Sequence, residues 1–155
     1  MRRSTLNSQL LADAPKLADF LDKTPVAVLA TVVDTEGALH AAALHYWHDP
    51  ATLSFYFVTE KSSEKCRLLL RGAAQPAACV VGAEEGVTFT LQMSGEVRMV
   101  PKSEYQFAIL AYARKRGDSH HAEADDYALL QFHPSVARYT DYTGKWAQHY
   151  LNLEG

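Results

Sequence analysis

The stretch that decides the fold is FYFVTEKSSEKCRLL, residues 55–69. Its first half is rich in aromatic and β-branched residues, which predicts a strand that ends near Thr59. Its second half predicts a helix over 62–71, begun by a serine cap and closed by Gly72. Four polar residues lie where the strand gives way to the helix: Lys61, Ser62, Ser63 and Lys65.

This junction has the chemistry of an anion site. Backbone N–H groups in the first turn of a helix are unpaired and carry a partial positive charge. The hydroxyls of Ser62 and Ser63 and the ammonium groups of Lys61 and Lys65 add donors and charge, which favours a dianion such as phosphate. The simpler alternative is a capped surface helix that happens to carry a lysine.

The rest of the sequence predicts a β-rich domain that begins with a helix. Residues 7–23 have apolar side chains at helical spacing, and residues 26–33 form an apolar run that fits a strand buried on both faces. A hairpin turn is predicted at 34–37, and residues 87–100 alternate as a long strand with Gly95 as a candidate bulge. Further strands are predicted over 38–47, 53–59, 77–81, 127–132 and 136–142, and a second helix over 102–116. We interpret the pattern as one domain over residues 1–155, a β-barrel decorated by helices, with an aromatic tail at 143–155.

Composition narrows the classes of function. The 155 residues are 48% hydrophobic and 21% charged, as expected for one soluble globular domain. The net charge of −3, without a basic stripe, argues against binding of a nucleic-acid backbone. No apolar run approaches the ~20 residues that a membrane helix needs. With only Cys66 and Cys79, a disulfide scaffold is excluded, and we expect the reducing cytoplasm.

Histidines and cysteines do not predict a metal or catalytic centre. His40 and His45 are expected on opposite faces of one strand, and His48 does not converge with them. The pair at 120–121 lies in an acidic loop, where a metal ion could bind adventitiously. Cys66 is a candidate redox thiol beside the predicted helix start. No Ser-His-Asp pattern is present, so no catalytic residue is predicted.

The 55–69 unit and the hairpin before it resemble the pyridoxamine 5′-phosphate oxidase-like, FMN-binding split-barrel superfamily. The hairpin contributes LATV at 29–32 and GALHAAA at 37–43. The resemblance runs from Thr24 to Pro101 and, more weakly, through 127–142. It implies a mainly β fold, a six-stranded antiparallel split barrel, and a homodimer with FMN in clefts between the subunits.

The resemblance also implies roles for individual residues. Ser63 and Lys65 are expected to hold the FMN phosphate, at the end of the strand that lines the flavin. That strand and residues 42–46 are expected to face the isoalloxazine, with Gln92 or Thr90 at the ring edge. The expected cofactor-binding residues are Tyr56, Val58, Thr59, Lys61, Ser62, Ser63, Lys65, Gln92 and, in the aromatic tail at the subunit interface, Trp146.

Two positions depart from the pattern of the true oxidases. Glu64 stands where they have an arginine just before the phosphate lysine, and no arginine stands near Ala43 on the second strand. Both changes remove positive charge where a phosphate is expected. Lys61 and Arg67 are the candidates to compensate, although a lysine does not reproduce the bidentate pairing of an arginine.

The leading hypothesis is an FMN-dependent oxidoreductase that acts on a small-molecule substrate, with NAD(P)H as a candidate electron donor. One alternative is a non-catalytic module of the same fold that binds or senses flavin or haem. The other is a barrel without a cofactor that acts as an interaction protein, for which Glu64 is the supporting residue. The sequence names neither the substrate nor the electron donor.

Overall fold

A computed structural model of the protein describes residues 8–50, 52–86, 88–104, 106, 125–143 and 147–152. Residues 8–14 and 147–152 are described by their backbone alone. Most of the predicted helix over 102–116, the histidine pair at 120–121 and Trp146 therefore lie outside the described residues. The start of that helix, Lys102–Glu104, forms a 3₁₀ turn. No helix in the described ranges is long and apolar enough to cross a membrane.

The strands form one antiparallel sheet, which has eight strands within the described residues. They are β1 (Val26–Val32), β2 (Leu39–His45), β3 (Trp47–His48), β4 (Phe55–Glu60), β5 (Gln75–Val81), β6 (Phe89–Met99), β7 (Tyr127–Asp141) and β8 (Ala147–Asn152). Their order is β2-β1-β5-β6-β7-β4-β3, and β8 also pairs with β7. Strands β2 and β4 contact each other without pairing, so the sheet curls into a barrel that stays split between them.

This architecture confirms the predicted mainly β, antiparallel split barrel. The sheet has more than the six strands expected, for two local reasons. The predicted return strand over 38–47 stops at His45 and resumes as the two-residue β3. The segment predicted as an aromatic tail contributes β8, which pairs with the second half of β7.

The β1–β2 hairpin forms as predicted, but β1 is not buried on both faces. Asp34 Oδ1 accepts hydrogen bonds from the N–H groups of Glu36 and Ala38 at 2.9 and 3.0 Å, and Gly37 has φ +87°. Along β1 every second residue is buried, and the residues between are half-buried. The outer face of β1 is covered by no element of the described chain, which leaves its apolar side chains partly exposed.

Strands β6 and β7 pair along most of their length, with a register shift at Ser94 and Gly95 that confirms the predicted bulge. A Cβ on Gly95 would lie 2.1 Å from the carbonyl oxygen of His133, so only glycine fits there. The ranges 127–132 and 136–142 are extended as predicted, but the predicted break between them at His133 and Pro134 is wrong, because β7 continues through both residues. Pro134 lies opposite Gly95 at the bulge, where a missing N–H is tolerated.

Helix α1, Ser8–Lys23, matches the predicted helix. Leu17 and Leu21 join the barrel core, and the ring of Phe20 lies 4.9 Å from that of Phe89. The hydroxyl of Tyr46, a fully buried residue, lies 2.8 Å from the carbonyl oxygen of Leu21 and 2.6 Å from that of Thr24. The C-terminal end of α1 is therefore fixed to the barrel by a buried hydrogen-bonding group.

Candidate functional site

The connection from β4 to β5 contains the predicted anion site in a form different from the expected one. The predicted α-helix over 62–71 is wrong: the segment forms two 3₁₀ turns, Glu64–Cys66 and Leu69–Arg71, closed by Gly72 at φ +92°. A 3₁₀ turn rises about 2.0 Å per residue against about 1.5 Å in an α-helix, so a short connection spans more distance. Turns of three residues have no substantial macrodipole, so an anion here must be held mainly by side chains.

Two of the predicted side chains come together where β4 ends, and a third follows closely in sequence. The hydroxyls of Thr59 and Ser63 lie 3.5 Å apart, and Ser63 Oγ lies 3.5 Å from Cys66 Sγ. Lys65 follows in the first 3₁₀ turn. We call Thr59, Ser63 and Lys65 the cradle.

Lys65 is the unusual member of the cradle, because its residue is only 7% exposed. Among the described residues its ammonium group has no ion pair and no hydrogen-bond acceptor. The side chain of Lys65 is thus packed along its aliphatic part, while its ammonium group keeps contact with solvent. The cradle therefore contains a positive charge that no carboxylate of the described residues neutralises.

Lys61 and Ser62 face a different space from the cradle. They line an open cleft of about 430 Å³ together with Glu60, Asp126 and Tyr127. The pKa of Asp125 lies below its usual value, first because Lys102 donates a hydrogen bond to it at 2.6 Å, and then through the charges of Lys102 and Lys61. The charge of Lys61 is thus partly balanced by neighbouring carboxylates, unlike that of Lys65.

The two strand edges predicted to face a flavin ring meet at the split of the barrel. β4 pairs with β7 on one side, but with β3 only at Phe55 and Tyr56. In the described chain, residues 57–60 therefore have one edge without a paired strand, and it lies on the side of β2. Unpaired edge groups can hydrogen-bond a planar ligand through its carbonyl and N–H groups.

A family model described as pyridoxamine 5′-phosphate oxidase matches residues 14–141, which is most of the chain. The chain belongs to the pyridoxamine 5′-phosphate oxidase family. Among proteins of curated function, no sequence matches it. The cradle and the split lie within the part of the chain that matches the family.

Solved structures share the fold of this family member at low sequence identity. A haem-binding protein from Mycobacterium smegmatis is 18% identical with a TM-score of 0.68, over 92% of this chain and 57% of that one. HutZ, a haem storage protein from Vibrio cholerae, is 15% identical with a TM-score of 0.65, over 91% and 97%. A Clostridium acetobutylicum protein related to general stress protein 26 is 12% identical with a TM-score of 0.64, over 89% and 94%. At such identities the similarity shows the fold alone.

In this family member Glu64 and Arg67 neutralise each other. Arg67 Nη2 donates to Glu64 Oε1 at 2.7 Å, and both side chains are about half exposed. Arg67 is therefore committed to a carboxylate, which weakens the prediction that it compensates for the missing arginine. Lys65 remains as the cradle's own cation.

Tyr56 and Val58 lie on the face of β4 opposite to Thr59, because side chains alternate along a strand. The Tyr56 ring stacks on Trp47 at 5.1 Å, and its hydroxyl accepts a hydrogen bond from Gln131 Nε2 at 2.9 Å. Burial is the main reason that the pKa of Tyr56 is raised. The two side chains are therefore separated from the hydroxyls of the cradle by the strand itself.

Gln92 lies on the outer face of β6, away from the cradle of its own chain. Its partner on β7 is Arg138, whereas the partner of Thr59 is Ala128, ten residues earlier. At ~3.3 Å per residue this is a contour distance of about 33 Å along β7. Gln92 therefore pairs with a different part of β7 from Thr59 and lies on the other face of the sheet. Sequence reasoning also missed Arg138, which donates to Gln92, because the sequence carries no signal for the register of β6 against β7.

An apolar surface covers the outer faces of three neighbouring strands. On β1 these residues are half-buried, and on β2 and β5 most are exposed although apolar. We call this surface the outer face, and its members are Val28, Ala30, Val32, Leu39, Ala41, Ala43, Pro76, Ala78 and Val80. A continuous apolar surface of this kind commonly marks a contact with another protein chain.

Metal-ligating residues do not converge in the described part of the chain. No group of three such residues is close enough there to hold an ion. His40 and His45 lie on opposite faces of β2, as predicted. Cys66 is fully buried, which disfavours a redox-sensing role. Burial raises the pKa of the Cys79 thiol, as expected for a core residue.

Proposed function

We propose that this chain is an FMN-binding flavoprotein and that Lys65 binds the phosphate of the flavin nucleotide. The observation that carries the proposal is Lys65, a residue held by packing whose ammonium group no carboxylate of the described chain neutralises. A phosphate dianion supplies the missing negative charge. The hydroxyls of Thr59 and Ser63 then donate hydrogen bonds to its oxygens.

From the position of the cradle we infer where the rest of the nucleotide lies. It lies at the end of the β4 edge that has no paired strand, so a ligand anchored there by its phosphate extends along the split. Backbone groups of residues 57–60 and of β2 then face the ring. The residues present fit FMN in charge and in hydrogen-bonding capacity.

The proposed reaction class is oxidoreduction of a small molecule. Bound FMN supplies hydride or single-electron transfer. The protein holds the phosphate, orients the ring through strand-edge hydrogen bonds, and shields one side of it from water. NAD(P)H is the electron donor to test first.

We also propose that the functional unit is a homodimer. The outer face is apolar yet uncovered in one chain, and the sequence of β1 has the pattern of a strand buried on both faces. A second copy of this chain that packs there buries both sets of apolar side chains. It also provides a way for Gln92 of one chain to approach a flavin held by the cradle of the other.

The phosphate assignment is tested by titrating FMN and riboflavin into the wild type and Lys65→Met. We expect the wild type to bind FMN about 100-fold more tightly than riboflavin, because only FMN carries the phosphate. The variant should bind the two ligands about equally. Lys23→Met is the matched control, since it removes the same charge from an exposed lysine that pairs with Asp19.

Each result of that titration has a defined meaning. If the wild type and Lys65→Met both bind FMN more tightly than riboflavin, the phosphate binds elsewhere. A Soret band on addition of haemin, with no uptake of flavin, favours the haem-binding alternative. A protein that takes up neither flavin nor haemin supports the alternative of an interaction protein without a cofactor. Anaerobic bleaching of bound FMN by NAD(P)H separates an enzyme from a non-catalytic flavin module.

The dimer is tested by Ala43→Lys, which adds a charge to the outer face of β2. We expect the wild type to sediment as a dimer and the variant as a monomer with weakened FMN binding. Ala83→Lys is the control, because Ala83 is exposed in the β5–β6 turn, away from the outer face. An Ala43→Lys variant that stays dimeric excludes the outer face as the interface.

A further inference from the structure

The open cleft beside the end of β4 is built on the last pairs of the β4–β7 ladder. Glu60 is the register partner of Tyr127, and the next N–H along the chain, that of Lys61, donates a hydrogen bond to the carbonyl oxygen of Asp126 at 2.8 Å. Together with Ser62, these residues line a space of about 430 Å³. The sheet therefore holds the backbone on both sides of the cleft and fixes the relative positions of the residues that line it.

Three charged side chains of the cleft have no partner that neutralises them within the described ranges. Glu60, Lys61 and Asp126 take part there in no ion pair and in no side-chain hydrogen bond. Asp125 differs from them, because Lys102 donates a hydrogen bond to it at 2.6 Å. An ammonium group that shares a cleft with two carboxylates and pairs with neither leaves all three groups available to a ligand.

The cleft is separate from the cradle. Side chains alternate along β4, and Thr59 is buried whereas Glu60 is exposed. None of the three cradle residues lines the cleft, although Ser62 and Ser63 are neighbours in sequence. A ligand in the cleft is therefore recognised by its own set of side chains, and its binding does not require a bound flavin.

The size and charge of the cleft indicate the class of ligand. Its volume admits a molecule of amino-acid size. Two carboxylates against one ammonium group give the cleft a net negative charge, so a complementary ligand has two cationic groups and one carboxylate. Diamino acids have this set of groups. The half-buried ring of Tyr127 adds an apolar surface against which the methylene groups of such a ligand can pack.

We propose that the cleft is a binding site for a free diamino acid. Lys61 pairs with the carboxylate of the ligand, to which the hydroxyl of Ser62 also donates a hydrogen bond. Glu60 and Asp126 pair with its two ammonium groups. Because the cleft is open to water, each of these ion pairs contributes only modestly to affinity, and selectivity comes from their combination.

The experiment is a titration of free L-lysine into the full chain without FMN, followed by the NMR shifts of the backbone amides. We expect a Kd of about 1 mM, with the largest shifts at residues 60–62 and 126–127. Three analogues each lack one group: norleucine lacks the side-chain amine, ε-aminocaproate the α-amine, and cadaverine the carboxylate. Each should bind about three- to fivefold more weakly than L-lysine, as for loss of one exposed ion pair.

Variants of the cleft assign each group of the ligand to its partner. Lys61→Met should remove the preference for L-lysine over cadaverine and keep the preference over norleucine. Glu60→Gln and Asp126→Asn should each reduce the preference over norleucine or over ε-aminocaproate, and keep that over cadaverine. Glu36→Gln is the matched control, because it makes the same charge change in the exposed β1–β2 turn and should leave all affinities unchanged.

The outcomes that overturn the inference are distinct from those that concern the flavin. Equal binding of L-lysine and its analogues by the wild type overturns it, and so do shifts confined to residues outside the cleft. A preference over cadaverine that survives in Lys61→Met also overturns it. A protein that binds FMN but not L-lysine contradicts this inference alone, and one that binds L-lysine but not FMN contradicts only the proposed function.

Discussion

Two regions of the molecule use a lysine in opposite ways. Between α1 and the end of β7, the exposed Lys16 donates to Asp141 at 2.7 Å. Between β4 and β5, the buried Lys65 has no carboxylate partner in the described chain. An exposed ion pair contributes at most about 1 kcal/mol to stability, and Lys65 makes no such pair. The charge of Lys16 therefore contributes to the stability of the fold, whereas the charge of Lys65 is left available to a bound anion.

The strongest test of this contrast compares the free energy of unfolding of the wild type and Lys65→Met, with and without FMN. Urea denaturation measures it. Without ligand, we expect the variant to equal or exceed the wild type in stability, because no ion pair or hydrogen bond of the described chain is lost and the apolar part of the side chain is kept. With FMN at about 100 times its Kd, the wild type should gain about 2.7 kcal/mol and the variant almost nothing. A ligand-free variant less stable than the wild type contradicts this account of Lys65.

Tyr46→Phe tests the opposite region, where polar groups serve stability. The substitution removes a hydroxyl that lies against the carbonyl oxygens of Leu21 and Thr24, at the end of α1. We expect a loss of about 1–2 kcal/mol in the free energy of unfolding, with unchanged FMN affinity. Tyr142→Phe, at an exposed site, should change stability by less than about 0.5 kcal/mol. A drop in FMN affinity for Tyr46→Phe contradicts the separation of the two regions.

Local sequence signals predicted much of this fold. The hairpin turn at Asp34 and helix α1 depend on neighbours in the chain, and the bulge was marked by the glycine at position 95 itself. The errors occur where a distant partner decides the conformation. Pro134 would normally end a strand, and it continues β7 only because it lies opposite the bulge of β6. The signals for a helix over 62–71 did not show that the connection to β5 forms 3₁₀ turns.

The candidate site, like the fold, has one part that the local sequence predicts and another that distant contacts decide. Thr59, Ser63 and Lys65 could be grouped from the sequence because seven consecutive residues contain them all. The burial of Thr59 and Lys65, and the lack of a carboxylate near Lys65, depend on packing that no local pattern encodes. The contact between Gln92 and Arg138 joins residues 46 positions apart and depends on the register of two strands. The sequence could therefore predict the anion site, but not the partner of Gln92.

Glu64→Gln tests a smaller effect at the cradle. Glu64 puts a negative charge next to Lys65 in sequence, half exposed and paired with Arg67. Its removal should tighten FMN binding about threefold, because a repulsive charge is lost and Arg67 is released. Glu36→Gln, in the exposed β1–β2 turn, makes the same charge change and should leave FMN affinity unchanged. Weaker binding by Glu64→Gln would mean that Glu64 orders the cradle.

The smallest effect is expected for Asp141→Asn, and it appears as a change in pH dependence. The pKa of Asp141 is lowered from its ordinary 3.8 to about 2, first by the hydrogen bond from Lys16 and then by those from Thr143. A carboxyl group whose folded pKa is lowered stabilises the protein above its unfolded pKa, and this contribution is lost as pH falls towards the folded pKa. The wild type should therefore exceed Asp141→Asn in stability at pH 6.

That advantage should shrink as the pH falls from about 5 towards 2, which urea denaturation across this range measures. Its size at pH 6 is limited to that of an exposed pair, because Lys16 is largely in water. Asp19→Asn makes the same charge change at the exposed pair with Lys23 and separates a local effect from one of net charge. If the two variants show the same pH dependence, the contact between α1 and β7 adds nothing specific. In that case Lys16 would not contribute specifically to stability, and only the role of Lys65 in ligand binding would remain.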